Sequence, residues 1–264
     1  MKKFFVIGNN SSKSLSPLIF NYWFKKYKIK AKYNYVEVEK DRFDETIIKK
    51  TKQKNLCGYN VTIPYKKNIL KHLHKKNTHA QKIGAVNCVK TGKKTIGINT
   101  DWIGYLNSIK TKKINKTKNI LILGYGGASQ AIVYGFSIKG FNNITVFNRT
   151  KKLINIGGLK KYTKKYSLIN PHLTKADLII NTTPTNPLRK KQITLIKKNT
   201  LISDIVYKPM NTEFLKSLKE NRKIYGISML IEQAIPCFYF WFGFRPVVDT
   251  KLLKMLEKKI KWLK

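Results

Sequence analysis

The stretch Ile120–Ala131, "ILILGYGGASQA", constrains the fold more than any other part of this chain. Four consecutive apolar residues, Ile120 to Leu123, show no alternation and predict a strand buried on both faces. Gly124, Gly126 and Gly127 follow at once, and a helical pattern runs on to Gly140. A buried strand that turns on glycines directly into a helix opens a βαβ fold. The glycines permit a tight turn and a close backbone approach to phosphate, at which the helix aims its free N–H groups. The spacing is G-x-G-G-A, with Ser129 where the usual G-x-G-x-x-G pattern has its third glycine. We therefore expect a dinucleotide site on Gly124, Gly126, Gly127 and Ala128.

"NNITVFNRT", "ADLIINTTP" and "NTLISDIVYKP" read as three further strands ending in polar residues. The series predicts an α/β fold with a parallel, doubly wound sheet. The end of "ITVFNRT" bears on which dinucleotide binds. An NAD site usually carries Asp or Glu there for the ribose 2′-hydroxyl, whereas Asn148, Arg149 and Thr150 stand here. An acid would repel a 2′-phosphate, and an arginine bonds it with charge assistance. NADP is favoured over NAD. The competing reading of Arg149 is a solvated surface cation.

The first hundred residues alternate strand and helix patterns. "KKFFVIG", "KYNYVEVEK" and "LCGYNVTIPYK" read as strands, and "GAVNCVKTGKKTIGINTD" as a hairpin turning at Thr91–Lys93. "SPLIFNYWFKKYK" reads as a helix with Pro17 near its start. "DRFDETIIKKTKQKN" reads as a helix with Asp41 as N-cap. The end of the chain reads as two helices, the first interrupted by Pro236.

The formal charge is +41, from 54 Lys+Arg against 13 Asp+Glu. Only Arg42, Arg149, Arg189, Arg222 and Arg245 are arginines, so 49 of the cations are lysines. They are spread over the whole chain, and nucleic-acid readers favour arginine for bidentate contacts. Non-specific polyanion binding at low salt follows from such a charge, without being the function. The same field attracts a phosphate-bearing cofactor and a carboxylate substrate. Cys57, Cys88 and Cys237 lack metal spacing, and no acid completes a shell around His72, His74 and His79, so no metal site is expected. No apolar run is long enough to span a membrane. The N-terminal run Phe4–Ile7 is too short for a signal peptide, and a cytoplasmic protein is expected.

Polar residues gather at strand ends in the first domain: Ser14 and Ser16; Asn60, Thr62 and Lys66; Asn87; Asn99 and Asp101. Converging hydroxyls and amides suit a polyhydroxylated small molecule. Lys66 and Asp101 are the one opposite-charge pair in the set. Taken singly, Ser14 serves equally as a helix cap, Asn99 as a turn and Asp101 as an N-cap.

"VIGNNSSKSLSPLIFN", "GYNVTIPYK", "IGAVNCV", "GINTDWIG", "LGYGGASQA", "VFNRT", "INTTP", "DIVYKP" and "GISMLIEQAIPCFYFWFG" stand in this order between about residues 5 and 245. In this the chain resembles the shikimate dehydrogenase family. The resemblance implies NADPH-dependent reduction of 3-dehydroshikimate to shikimate, a step of chorismate and aromatic amino-acid biosynthesis. It implies that Lys66 and Asp101 are the catalytic pair and that Ser14 and Ser16 bind the substrate carboxylate. Thr62, Asn87, Asp101 and Gln233 would hold the ring hydroxyls, Tyr207 would add carboxylate and ring contacts, and Gly226 would line the nicotinamide.

The implied architecture is a substrate domain of residues 1–101, an NADP-binding Rossmann domain of 102–229, and C-terminal helices of 230–264 returning to the substrate domain. The active site is expected in the cleft between the domains. A monomer or homodimer is expected, with no specific nucleic-acid partner. The rivals are a quinate/shikimate paralogue, a catalytically inactive ligand-binding homologue and a nucleic-acid binder. The chain departs from the family pattern at several points. Asn10 stands for a usual proline, Phe20 for a histidine, and Tyr125 for a small residue. "KKLIN" lacks a second arginine after Arg149, leaving Lys151 or Lys152 as a point charge, and "TPTNP" lacks the usual Gly-Met.

Overall fold

The computed structural model describes residues 1–112 and 114–261. The chain forms two compact units. The first comprises Met1–Asp101 and Gln233–Lys259. Its elements are β1 (Lys2–Gly8), α1 (Ser16–Lys26), β2 (Ala31–Glu37), α2 (Phe43–Thr51), β3 (Leu56–Val61), β4 (Lys75–Lys76), α3 (Thr78–Ile83), β5 (Cys88–Lys90) and β6 (Ile96–Ile98). Six strands form one mixed sheet in the order β2-β1-β3-β5-β6-β4. β1 pairs parallel with β2 and β3, while β5 pairs antiparallel with β3 and β6.

α1 buries Ile19, Phe20, Trp23 and Phe24, an i, i+1, i+4, i+5 stripe that faces the sheet. Phe20 stacks on Tyr33 at 4.6 Å between ring centroids, and Trp241 packs on Phe4 at 4.7 Å. Each buried aromatic stabilises the fold by roughly 1.5–3 kcal/mol relative to an exposed one. Asp41 is not the N-cap of α2 as expected. It lies in a 3-10 turn, Lys40–Arg42, and the helix begins two residues later with Asp44 and Glu45 in its first turn. These two carboxylates complement the positive end of the helix in place of a cap. Asn10 adopts φ 61°, a left-handed conformation that the fixed φ of proline forbids, so this turn takes another path than a proline would allow.

The second unit centres on Trp102–Glu232. α4 (Asp101–Ser108) leads into β7 (Ile120–Leu123), α5 (Gly127–Ile138) and β8 (Ile144–Phe147). A hairpin of β9 (Leu153–Ile156) and β10 (Leu159–Tyr162) follows, then α6 (Asn170–Leu173), β11 (Leu178–Asn181), α7 (Lys190–Ile193), β12 (Leu201–Asp204), α8 (Glu213–Lys216) and β13 (Lys223–Ile224). α9 (Gly226–Phe242) and α10 (Thr250–Lys261) end the chain, and α9 from Gln233 on belongs to the first unit. The second sheet is wholly parallel, in the order β13-β12-β11-β7-β8. The chain winds outward in both directions from β7, so the expected doubly wound sheet is present. Its switch point lies at the carboxyl ends of β7 and β11, where α/β sheets bind ligands.

Candidate active site

In the first unit the site is built around one asparagine. β3 ends at Val61, and the segment after it is anchored by Tyr65, which is buried, stacks on Phe43 at 4.2 Å and donates to the Val38 carbonyl at 2.8 Å. Lys66 is thereby fixed, and its own carbonyl accepts from the Val86 N–H at 2.8 Å. Its Nζ lies 2.6 Å from Asp101 Oδ2, with the two side chains 13% and 4% exposed. Asp101 opens α4, where the helix dipole favours a carboxylate. Its N–H donates to Asn99 Oδ1 at 3.0 Å, so Asn99 does form a turn while its amide also reaches the Ala85 carbonyl.

Asn87 joins these groups. Its Oδ1 accepts from the Thr100 backbone N–H at 2.7 Å. A backbone N–H can only donate, which settles the amide's orientation. The NH₂ group therefore faces Asp101 Oδ1 at 2.8 Å, Thr100 Oγ1 at 2.9 Å and Gln233 Oε1 at 3.2 Å. Two hydrogens thus face three oxygens, of which Gln233 Oε1 also lies 3.5 Å from the Thr100 hydroxyl and 3.8 Å from the Cys237 thiol. Asn60 works from beneath: it donates to the Asn87 carbonyl at 2.9 Å and to Cys237 Sγ at 3.2 Å, and accepts from Tyr33 at 2.7 Å. Breaking a buried pair such as Lys66–Asp101 costs more than making it contributes, so the arrangement reads as pre-organisation rather than as a source of stability.

Lys66, Asn87, Asp101 and Gln233 are thus joined in one hydrogen-bonded set. Thr100 and Cys237 belong to it and were not picked out from the sequence. Thr100 sits between Asn99 and Asp101, two of the polar strand-end residues, and that adjacency is its one signal in the sequence. Cys237 falls one helical turn after Gln233, on the same face of α9. Ser14, Ser16 and Thr62 make no side-chain bond to this set among the described residues. Ser14 Oγ accepts from the Ser16 N–H at 3.2 Å, but Leu15 and not Ser14 holds the N-cap position of α1, with no side-chain cap. Ser16 is buried, and Thr62 is half-buried. His72 bonds Asp44 Oδ1 at 2.7 Å and His74 bonds Thr95. Among the described residues no group of three or more metal-ligating side chains occurs.

In the second unit the glycine turn stands at the switch point. Gly124 has φ 94°, and an added Cβ would lie 2.8 Å from Thr182 Oγ1 and 2.7 Å from Thr183 Cγ2. Both the backbone conformation and the space require glycine there. Gly126 precedes α5 with no side chain capping the helix and open space beside it, and the first turn holds no acid. Tyr125 is buried, which pushes its phenol above its ordinary range. Asn148 donates to the Thr150 carbonyl at 3.0 Å and Arg149 is exposed, with no carboxylate in this stretch. Burial pushes the Tyr166 phenol up to about 12, against the opposing pull of the Gly124 backbone and the Arg149 charge. An uncapped helix start, an open glycine cradle and an arginine with no acid beside it fit a phosphorylated dinucleotide.

Lys151 Nζ lies 4.5 Å from the centre of the Tyr162 ring, while the Lys152 N–H donates to Thr163 Oγ1. The "TPTNP" loop is closed by side chains: Thr182 donates to the Leu123 carbonyl at 2.7 Å, and Asn186 accepts from the Leu188 N–H at 3.0 Å. Asp204 accepts from Thr212, Asn181 and the Val206 N–H and so shapes the loop that carries half-buried Tyr207. A Cβ on Gly226 would strike the Ile205 carbonyl and lie 2.7 Å from the Val206 oxygen. α9 thus begins in direct backbone contact with that loop.

Residues 6–89 match the family described as "Shikimate dehydrogenase substrate binding domain", and residues 108–229 match "Shikimate / quinate 5-dehydrogenase". A Bartonella quintana protein named "Shikimate dehydrogenase (NADP(+))" is 35% identical over 271 residues, covering 96% of this chain and 92% of that protein. The shikimate dehydrogenase structure from Aquifex aeolicus superposes with a TM-score of 0.84 at 30% identity, covering 97% of each chain. The shikimate 5-dehydrogenase structure from Thermus thermophilus, in complex with NADP(H) and shikimate, gives 0.82 at 26% identity, covering 98% of this chain and 100% of that one.

Proposed function

The chain belongs to the shikimate dehydrogenase family, and on that premise we propose that it reduces 3-dehydroshikimate to shikimate, reversibly and with NADPH. The observation that carries this reading is the enclosed Lys66–Asp101 pair at 2.6 Å, held by Asn87. NADPH supplies a hydride to the substrate's carbonyl carbon. As charge develops on the oxygen, the Lys66 ammonium stabilises it and donates the proton. Asp101 holds the ammonium in place through one oxygen and takes a substrate hydroxyl. Asn87, Gln233 and Thr62 bind the remaining ring hydroxyls. Ser14 and Ser16 bind the substrate carboxylate, which the positive field of the chain attracts, and Tyr207 adds to these contacts.

The backbone of Gly124, Gly126, Gly127 and Ala128, with the first turn of α5, binds the pyrophosphate. Asn148, Arg149 and Thr150 bind the 2′-phosphate, and Gly226 lines the nicotinamide. Residues 1–101 and 230–264 serve as the substrate domain and 102–229 as the nucleotide domain. Curated relatives carry NADP(+) in their names, and the Thermus neighbour was solved with NADP(H) and shikimate, which supports both ligands here. Among the described residues no helix is long and apolar enough to cross a membrane. The reading takes the enzyme to act in the cytoplasm as a monomer or homodimer.

The test is NADPH oxidation by purified protein, with 3-dehydroshikimate as acceptor. Saturable turnover, with kcat/KM for shikimate and NADP⁺ well above those for quinate and for NAD⁺ in the reverse direction, is the expected result. A preference for quinate assigns the chain to the quinate branch. No turnover with either substrate overturns the enzymatic reading.

A further inference from the structure

The second unit holds a cavity of about 320 Å³ that the proposed reaction does not use. It lies at the amino-terminal end of β7 and β8, lined by Asn119, Asn143 and Thr145, whereas Gly124 and Asn148 stand at the opposite, carboxyl ends of the same strands. Leu121 forms its floor, and Lys161, His172 and Lys175 contribute its cations and imidazole. No carboxylate lines it. Asp177 stands beside the wall, where its carboxylate accepts from Lys118 Nζ at 3.0 Å and from the N–H of the lining residue Asn119 at 2.8 Å.

Lys161 differs from the solvated lysines that cover this chain. It is half-buried on β10, and its ammonium donates to the Ile144 carbonyl, which pins it at the cavity wall. Burial, with Lys164 nearby, pulls it below the ordinary lysine range. One of its three N–H groups is used by Ile144, and two remain as donors. His172 Nε2 lies 3.1 Å from Lys164 Nζ. An ammonium can only donate, so the imidazole accepts there, is neutral, and keeps its Nδ1–H as a donor. Burial and the two neighbouring lysines hold His172 below its usual range, in keeping with that state.

A half-open set of lysine, imidazole and amide donors with no acid matches a tetrahedral dianion with three terminal oxygens. We propose that this cavity binds a phosphoryl group, carried by a small phosphate monoester. Its volume falls at the low end of small-molecule pockets, and it exceeds what a bare phosphate ion fills.

Calorimetric titration of the full chain with glycerol 3-phosphate, and separately with inorganic phosphate, tests the site at fixed ionic strength. Each titration is run with and without saturating NADP⁺, so that the result stands or falls independently of the cofactor assignment. The K161M/K175M double variant should bind the monoester at least about tenfold more weakly. The K110M/K112M variant removes the same charge from an exposed segment and should bind within about twofold of the parent. Thr145→Trp, which fills the cavity without touching charge, should abolish binding, and it decides the matter if the first variant melts early. Equal weakening in both lysine variants, or unchanged binding in K161M/K175M or Thr145→Trp, overturns the proposal. Phosphate binding as tightly as the monoester assigns the site to the free ion.

Discussion

Lys66 is one of 49 lysines, and composition alone would treat it as surface decoration. What separates it is enclosure: its side chain is 13% exposed and faces a carboxylate that is itself buried. Under the proposed mechanism, replacing it with alanine removes both the charge stabiliser and the proton donor. Lys66→Ala should lower kcat by at least about a hundredfold, read by steady-state NADPH oxidation, and the melting temperature should fall as well, since Asp101 is left buried without its ammonium partner. Near-normal kcat would remove Lys66 from the mechanism. Asn87 allows a sharper test, because only its NH₂ face meets Asp101 and Gln233. Asn87→Asp keeps the shape but sets a second carboxylate against Asp101 Oδ1, 2.8 Å from the replaced amide. Activity should fall steeply at neutral pH and recover in part as the pH is lowered and the new acid protonates. A pH–rate profile parallel to that of the parent would show that donation by Asn87 does not matter. The pairing of Lys66 and Asp101 was legible as the one opposite-charge pair among polar strand ends. The settled orientation of Asn87 was not, because it depends on a backbone N–H, Thr100, that no side-chain pattern reveals.

At the scale of elements, the apolar strands and the glycine turn were legible because period and punctuation agreed. The hairpin of β9 and β10 is harder to see in the sequence, although its turn signal is present. Gly157 and Gly158, at φ 60° and 85°, join two short strands in the two-residue turn that Gly-Gly favours. Each strand is only four residues long, Leu-Ile-Asn-Ile and Leu-Lys-Lys-Tyr, too short for an alternation to stand out. Asp41 satisfies the local rule for a cap, but that rule does not see the 3-10 turn before α2. The start of α9 is a matter of contact rather than propensity. Gly226→Ala would push a methyl into the Ile205 carbonyl, and it should destabilise the protein by roughly 1–3 kcal/mol in denaturant melts. The start of α10 depends on Asp249. Lys26, the Leu252 N–H and Tyr22 hold its carboxyl well below the usual carboxylate range. A depressed pKa contributes stability that is present above the unfolded value and lost as the pH falls through the folded one. Asp249→Asn should therefore lower the melting temperature at neutral pH. The difference should shrink as the pH falls below about 4. A gap that persists unchanged into strong acid would place the contribution in packing.

For the molecule as a whole, the two units differ in how far sequence reached them. The parallel sheet of the second followed from repeated strand–helix patterns. The mixed sheet of the first joins strands distant in sequence, such as β3 with β5, whose pairing no local pattern encodes. A charge of +41 adds a property that belongs to no single element. Like charges spread over the surface repel one another in the compact state and oppose folding, while they draw polyanions toward it. Salt acts on both. Raising ionic strength from about 0.01 M to about 0.15 M shortens the screening length from about 30 Å to about 8 Å. Over that range the melting temperature should rise, because repulsion is screened more than the short ion pairs are. Affinity for NADP⁺ should fall over the same range, and binding to arbitrary DNA should fall far more steeply, since it rests on many lysine–phosphate contacts at once. Calorimetry and filter binding on one salt series separate the three. DNA binding that persists at 0.15 M with sequence preference would make nucleic acid a partner rather than a consequence of charge. A melting temperature that falls with salt would show that Lys66–Asp101 and the other ion pairs, rather than self-repulsion, dominate the electrostatics of this chain.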